Sequence, residues 1–252
     1  MRQVTNGSDD LHCGIRVFVS QCSPGVQCRN WIYLPKSSTA RMKEHNVIQR
    51  YRLSFGSHTQ TIDGDDFMEL MQAIVTRRAT REYADPVEPA RIEQFINAAN
   101  LAPSGMNLQS WAFIVLTNPQ RIAEYAGRAK DWLLQNIDQY PDGSSIQTLL
   151  KDPAYCLLHN APALVLIVAT SHEPQATEDC CLAAENFMLA ARDEGVGTCW
   201  VGLARPWFNL GLVKTELEVP DKYQVVAPIV LGYPKQWPEP RERNPVEIHW
   251  VG

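Results

Sequence analysis

Residues 77–81, Arg-Arg-Ala-Thr-Arg, place Arg77, Arg78 and Arg81 together in a chain whose formal net charge is −5. A guanidinium is a planar fork of donors that matches two phosphate oxygens, so such a cluster suits a phosphate group. The cluster follows an apolar run, Phe67, Leu70, Met71, Ile74 and Val75, whose spacing predicts a helix from Asp66. On that helix Arg77 and Arg81 are four apart and share a face. The plainer reading is a set of cations at a helix C-terminus, favoured by the helix dipole by ~0.3–1 kcal/mol. Pro240-Arg241-Glu242-Arg243 adds cations near the other end of the chain, either a solvated arm or a second set of donors for the same anion.

Two polar or glycine-bearing segments could complete a site. Ala102-Pro103-Ser104-Gly105-Met106-Asn107-Leu108-Gln109-Ser110-Trp111 reads as a tight turn between an apolar helix and a strand. Ser104, Asn107 and Gln109 offer donors and acceptors to a ring with polar edges, or simply close a turn. Gly195-Val196-Gly197-Thr198-Cys199-Trp200-Val201-Gly202 leaves a helix and enters a short strand. Gly202 there admits close approach of a backbone N–H to a flat ligand, or marks a bulge.

Several chemistries are absent as motifs. The chain has no G-x-x-x-x-G-K-[ST], G-x-G-x-x-G, G-x-S-x-G or H-E-x-x-H. Its six histidines, at 12, 45, 58, 159, 172 and 249, show no metal spacing. Cys13, Cys22 and Cys28 fit no C-x2-C pattern, so neither a zinc nor an iron–sulfur module is expected. No nucleophile and base pair off by spacing, which points to a bound cofactor as the carrier of any hard chemistry. The pI near 5.7 argues against broad nucleic-acid or membrane-surface binding. The longest apolar run, from Ala161, is far short of the ~20 residues of a membrane helix. Nothing apolar stands behind Arg2 as in a secretory leader. The adjacent Cys180 and Cys181 read as reduced core thiols, and the expected location is cytoplasmic.

These segments need elements to hold them. Residues 1–65 show no sustained period and are expected to form a poorly ordered extension, ahead of a domain spanning 66–252. Asp66 and Glu69 have the relationship of a capping box. A second helix is predicted from Pro89 to the Ala102-Pro103-Ser104-Gly105 break. Trp111–Thr117 reads as a buried strand, followed by a helix capped by Asn118. Ala161–Thr170 is a second buried strand. Thr177 can cap a long helix ended by Gly195, apolar nearly all round and so expected inside the protein or between subunits. Two further strands begin at Thr198 and Tyr223. The stretch from Pro234 is expected as an extended arm, and residues 129–158 as a loop shaping a substrate mouth. With 252 residues and helices and strands mixed without strict alternation, the expected class is an α+β layered domain around a mixed sheet.

The order of these parts is more specific than any one of them. An arginine cluster after the first helix, then P-S-x-x-N-x-Q-x-W, then an internal helix leading to G-x-G-x-x-W-x-G, then L-G-Y-P and an arginine-bearing arm, resembles the nitroreductase family over roughly Asp66 to Trp250. The resemblance implies a layered α/β/α fold with a mixed, mainly antiparallel sheet, forming an intertwined homodimer with FMN at the interface. It implies an NAD(P)H-dependent FMN oxidoreductase that reduces nitroaromatics, quinones or similar small electron-poor acceptors by a ping-pong mechanism, with NADH or NADPH as donor. The FMN site would comprise Arg77, Arg78, Ala79 and Arg81, with Arg81 near the N1–C2 edge of the ring. Pro103, Ser104, Gly105 and Asn107 would come from the partner subunit. Trp200, Val201 and Gly202 would line the ring, with a backbone N–H near N5. Arg241 and Arg243 would close on the phosphate. No catalytic side chain, no metal, no nucleic acid and no membrane is implied. Ala79 replaces a frequent Ser, so one hydroxyl contact is lost, and some branches carry Glu where Gly202 stands. Two alternatives remain open: a specialised branch (flavin breakdown, dehalogenation or azoline oxidation) and a flavin-binding protein without turnover.

Overall fold

The computed structural model describes residues 51–55, 58–62, 68–139 and 143–252. The chain divides into two units, Met1–Asp63 and Gly64–Gly252. In the first, β1 (Tyr51–Phe55) and β2 (His58–Ile62) pair antiparallel, Tyr51 opposite Ile62 and Phe55 opposite His58. The irregular segment expected over 1–65 therefore contains a two-stranded sheet. The rest of that expectation, with Cys13, Cys22, Cys28, Phe67 and the Asp66 cap, lies outside the described residues.

The first helix described in the second unit is α1 (Leu70–Thr76), which starts three residues later than a cap at Asp66 would place it. Glu69 itself is the N-cap and makes no side-chain cap bond. The Met68 N–H donates instead to Asp193 Oδ1 at 2.6 Å. Then follow β3 (Tyr83–Asp85), α2 (Pro89–Ala99), a 3-10 turn at Gly105–Asn107, β4 (Trp111–Leu116) and α3 (Pro119–Gln135). As expected, Asn118 caps α3, its side chain accepting from Arg121 N at 3.0 Å. The expected mouth loop is largely helical: α3 runs on to Gln135, and α4 (Gly143–Lys151) follows a 3-10 turn at Ile137–Gln139. Leu133 and Leu150 are fully buried there, so apolar burial holds these turns as helix.

β5 (Ala163–Ala169) is buried throughout. α5 (Pro174–Asp193) starts before Thr177, because Pro174 occupies its first turn with φ already helical. Gly195, at φ +71, ends it as expected. β6 (Gly197–Trp200), α6 (Arg205–Phe208), α7 (Gly211–Glu216) and β7 (Gln224–Pro234) complete the unit. From Pro238 onward every residue is exposed and has no regular structure, which matches the expected arm.

β7 is the spine of the sheet. It pairs antiparallel with β5, with β6 and, at its last residues, with β3; β5 in turn pairs with the edge strand β4. One parallel bridge, Ala79 to Thr198, makes the sheet mixed. Alternation along β5 sends Leu164, Leu166 and Val168 into a core with α3, α4, α6 and α7. Ala163, Val165 and Ile167 face α2 and α5 on the other side. The result is three layers, helices on both faces of the sheet. Being an edge, β4 is only partly buried, with Val115 exposed. α5 packs on α2 through Phe95 and Phe187, edge to face at 5.9 Å. It also has an outer face with Glu178, Cys181, Leu182 and Glu185 exposed, so Cys180 is a core thiol and Cys181 is not. Among the described residues no helix is long and apolar enough to cross a membrane.

Candidate active site

α1 stops at Thr76, so Arg77, Arg78 and Arg81 do not share a helix face. Arg77 already has an extended ψ of 133°. The chain leaves the helix because the sheet captures it: Ala79 bridges Thr198, and Thr80 N donates to Thr198 O at 2.9 Å. The Tyr83 hydroxyl donates to Thr80 O at 2.6 Å, and Lys235 N to Glu82 O at 3.1 Å. The segment is thus tied to β6 on one side and to the end of β7 on the other. Gly197 makes this approach possible: a Cβ there would lie 2.7 Å from the Thr80 side chain, closer than carbon atoms pack.

The capture presents the cations to one cleft. Arg77, Arg78, Ala79 and Arg81 line it together with Pro238, Glu239, Arg241 and Arg243, around a volume of about 210 Å³. The two ends of the unit, the first arginines and the last, meet there. Their hydrogen bonds leave capacity. Arg78 Nη1 donates to Val75 O and Arg77 O at 2.8 and 2.7 Å, and Arg81 Nη1 to Ala79 O at 3.2 Å. Among the described residues Arg77 Nε is buried without a hydrogen bond, with the Glu185 carboxylate 3.5 Å away. The buried Thr80 Oγ1 also lacks a partner. A buried donor without an acceptor is costly in a finished structure, so this donor set fits an incoming anion.

The groups that interact with Arg81 are held neutral. Burial pushes the Tyr83 and Tyr155 phenols and the Cys199 thiol upward, with Arg81 opposing in each case. Burial, and then the Arg81 charge, lower His159 to about 4. At neutral pH no negative side chain of this group competes with an anion for Arg81.

The strand β6 brings Trp200 near this segment, two residues after the bridge at Thr198. Val201 is buried, and its N–H donates to Pro228 O at 2.8 Å, so that donor is already used. Gly202 is exposed, and a Cβ there would find only Trp200 Nε1 at 3.9 Å, so crowding does not require glycine. The turn at Pro103, Ser104, Gly105 and Asn107 does not line the cleft. It is ordered from below: Gly105 N donates to Oδ1 of the buried Asp179 at 3.0 Å, and Gln109 N to Ser104 Oγ at 3.0 Å. Met106, Asn107 and Gln109 adopt positive φ of 50°, 55° and 50°.

A sequence model described as the Nitroreductase family matches residues 74–233, which runs from inside α1 to the end of β7. The chain belongs to the nitroreductase family. A protein of Archaeoglobus fulgidus with the provisional name NADH dehydrogenase/NAD(P)H nitroreductase is 30% identical over 194 residues, 72% of this chain and 97% of that protein. An iodotyrosine deiodinase of Thermotoga neapolitana is 28% identical over 173 residues, covering 62% and 82% of the two chains. The crystal structure of a nitroreductase with bound FMN from Bacteroides fragilis superposes with a TM-score of 0.62 at 26% identity, over 73% of this chain and all of that one. This nitroreductase-family chain is therefore an oxidoreductase by kinship, and its three-layered fold is the family's.

Several site-forming residues of this nitroreductase relative escape a reading by motif. Thr80, Tyr83 and Thr198 fix the arginine segment, Pro238 and Glu239 line the cleft, and Asp179 holds the polar turn. Gly197 stood within the G-x-G-x-x-W-x-G motif, but its part in admitting Thr80 did not show there. Among the described residues no group of three or more His, Cys, Asp or Glu could hold a metal ion.

Proposed function

We propose that the chain is an FMN-dependent oxidoreductase that uses NADH or NADPH to reduce nitroaromatics, quinones or similar electron-poor molecules by a ping-pong mechanism. The observation that carries this is the convergence of Arg77, Arg78 and Arg81 with Arg241 and Arg243 on one cleft. Five guanidiniums with a single carboxylate, Glu239, among the lining residues suit a phosphate monoester. Bound FMN would supply the redox chemistry, taking a hydride from the nicotinamide and passing it to an acceptor that enters the same open site after the nicotinamide leaves. Arg77 and Arg243 would grip the phosphate, with Arg78 and Arg241 beside them. Arg81, flanked by neutral Tyr83, Tyr155 and His159, would place an uncompensated positive charge where negative charge develops. Trp200, Val201 and Gly202 would flank the ring.

The working unit in this reading is a homodimer. Leu70, Met71, Ile74 and Val75 of α1 are exposed, as are Leu101, Met106 and Leu108 around the polar turn and Val246, Ile248 and Trp250 on the arm. Apolar surface of this extent is what a second copy would cover. The partner's polar turn, Pro103 to Asn107, would then complete the flavin site. The chain purified as a yellow dimer, with a flavin spectrum bleached by NADH or NADPH and restored by a nitroaromatic or quinone, meets every part of the reading. A colourless monomer after incubation with excess FMN would end it.

The Thermotoga relative favours a second reading, reductive dehalogenation of an aromatic substrate. Release of iodide from 3-iodotyrosine under reducing conditions, faster than nitroaromatic or quinone turnover, would replace the first reading with this one.

A further inference from the structure

The cleft is built from two stretches distant in the chain, and one side chain outside it touches the residue next to each. Arg192 lies in the last turn of α5. Its guanidinium stands 3.9 Å over the ring of Trp237. Its Nε donates to Thr76 Oγ1 at 3.0 Å. Thr76 immediately precedes Arg77, and Trp237 immediately precedes Pro238; Arg77 and Pro238 both line the cleft. Trp237 is half-buried, whereas residues 238–252 are all exposed. The stack on Arg192 thus anchors the root of the arm just before the stretch that bears Arg241 and Arg243.

We propose that Arg192 is a positioning residue, clamping the end of α1 and the root of the C-terminal arm so that the two arginine sets face one anion. A cation at a helix C-terminus is favourable in any protein. That general role does not require both contacts to fall on residues adjoining the two cleft walls. A planar guanidinium can stack and donate at once, which a lysine ammonium cannot do in this geometry. The assignment of the anion as FMN rests on the proposed function; the clamp itself does not.

The test compares full-length Arg192→Ala, Arg192→Lys, Trp237→Ala and Trp237→Phe with the unaltered chain. Loss of the stack should weaken FMN binding by roughly tenfold in Arg192→Ala and Trp237→Ala, mainly through faster release. Turnover at saturating FMN should change little, because the clamp touches none of the reacting atoms. Trp237→Phe, which keeps an aromatic face, should recover most of the affinity, and Arg192→Lys only part. A second readout needs no flavin. Limited trypsin digestion should cut after Arg241 and Arg243 faster in Trp237→Ala than in Trp237→Phe or the unaltered chain. If FMN fails to bind the unaltered chain, the flavin reading falls and digestion alone decides the clamp. Equal digestion rates in Trp237→Ala, Trp237→Phe and the unaltered chain overturn it; so does unchanged FMN affinity in Trp237→Ala. If Arg192→Ala does not fold, the Trp237 pair still decides.

Discussion

Two arginine clusters in this chain have opposite fates. Arg128, on α3, donates through both terminal nitrogens to Glu216 at 2.8 Å each and lies 5.6 and 5.5 Å from the ring centres of Tyr125 and Trp207. Nearby Arg121 donates to the Tyr125 hydroxyl and to Glu216 O at 3.0 and 2.8 Å. The two charges of the bridge reinforce one another: hydrogen bonding to Glu216 raises Arg128, and hydrogen bonding to Arg128 lowers Glu216. Of the cleft arginines, Arg78 and Arg81 find backbone carbonyls of their own segment, and Arg77 faces the Glu185 carboxylate at 3.5 Å. The same residue type serves packing where acids and aromatic faces meet it, and stands ready for a ligand where they do not. Arginine count alone cannot separate the two.

The contrast can be broken at either end. Reversing one charge in the open cluster should have the largest effect. Arg77→Glu or Arg243→Glu should weaken FMN binding by about 100-fold or more, because a charge-assisted bond is lost and a repulsion added. A colourless protein whose fold survives by circular dichroism is the expected result, and stoichiometric flavin in both variants would remove these residues from the site. Next is Gly197→Ala, whose Cβ would meet Thr80 at 2.7 Å and push the arginine segment off β6. It should cost about 1–3 kcal/mol of stability and roughly tenfold in FMN affinity. Equal affinity there would mean that the segment can shift without loss.

Arg128→Ala probes the closed cluster. The bridge is partly exposed, so the loss should be near 1 kcal/mol, a fall of roughly 2–4 °C in Tm, with FMN affinity unchanged. A flavin defect equal to that of Arg77→Glu would erase the distinction between the clusters. The smallest effect concerns protons. His159 is lowered to about 4 by burial first and by Arg81 second. Below its ordinary value near 6.5 the unfolded chain binds a proton that the folded chain does not. Its contribution to stability is therefore full above about 6.5 and is lost as pH falls towards about 4. His159→Asn, which tolerates the positive φ of 55° at this position, should flatten that part of the pH–stability curve. An anion bound beside Arg81 should raise the His159 pKa, measurable by NMR with and without FMN.

Legibility differed between these regions for a physical reason. The cap of α3 at Asn118, the stop of α5 at Gly195 and the apolar run of β5 are signals carried within a few residues, and each matched its reading. The end of α1 was misread because periodicity and propensity run on through Arg78, whereas a bridge to Thr198 pulls the chain straight. Cys181 was misread in the same way: composition showed few polar residues, but only packing against α2 and the sheet decides which side of α5 this chain itself covers. The helical character of residues 129–158 was hidden by their polar content, and burial of Leu133 and Leu150 overrode it.

The order of the residues sufficed for the kind of chemistry: guanidiniums where a phosphate could use them, a polar turn, a glycine-rich strand entry, and a family. The resemblance also implied that Arg77 and Arg243 serve one anion, but nothing in the order of residues said that Gly197 would make room for Thr80, or that Arg192 would reach both Thr76 and Trp237. Those facts follow from strand register around β7, set by burial of both faces of the sheet at once. Residue type acts over a turn or two of chain; the meeting of distant residues is fixed by how the layers pack.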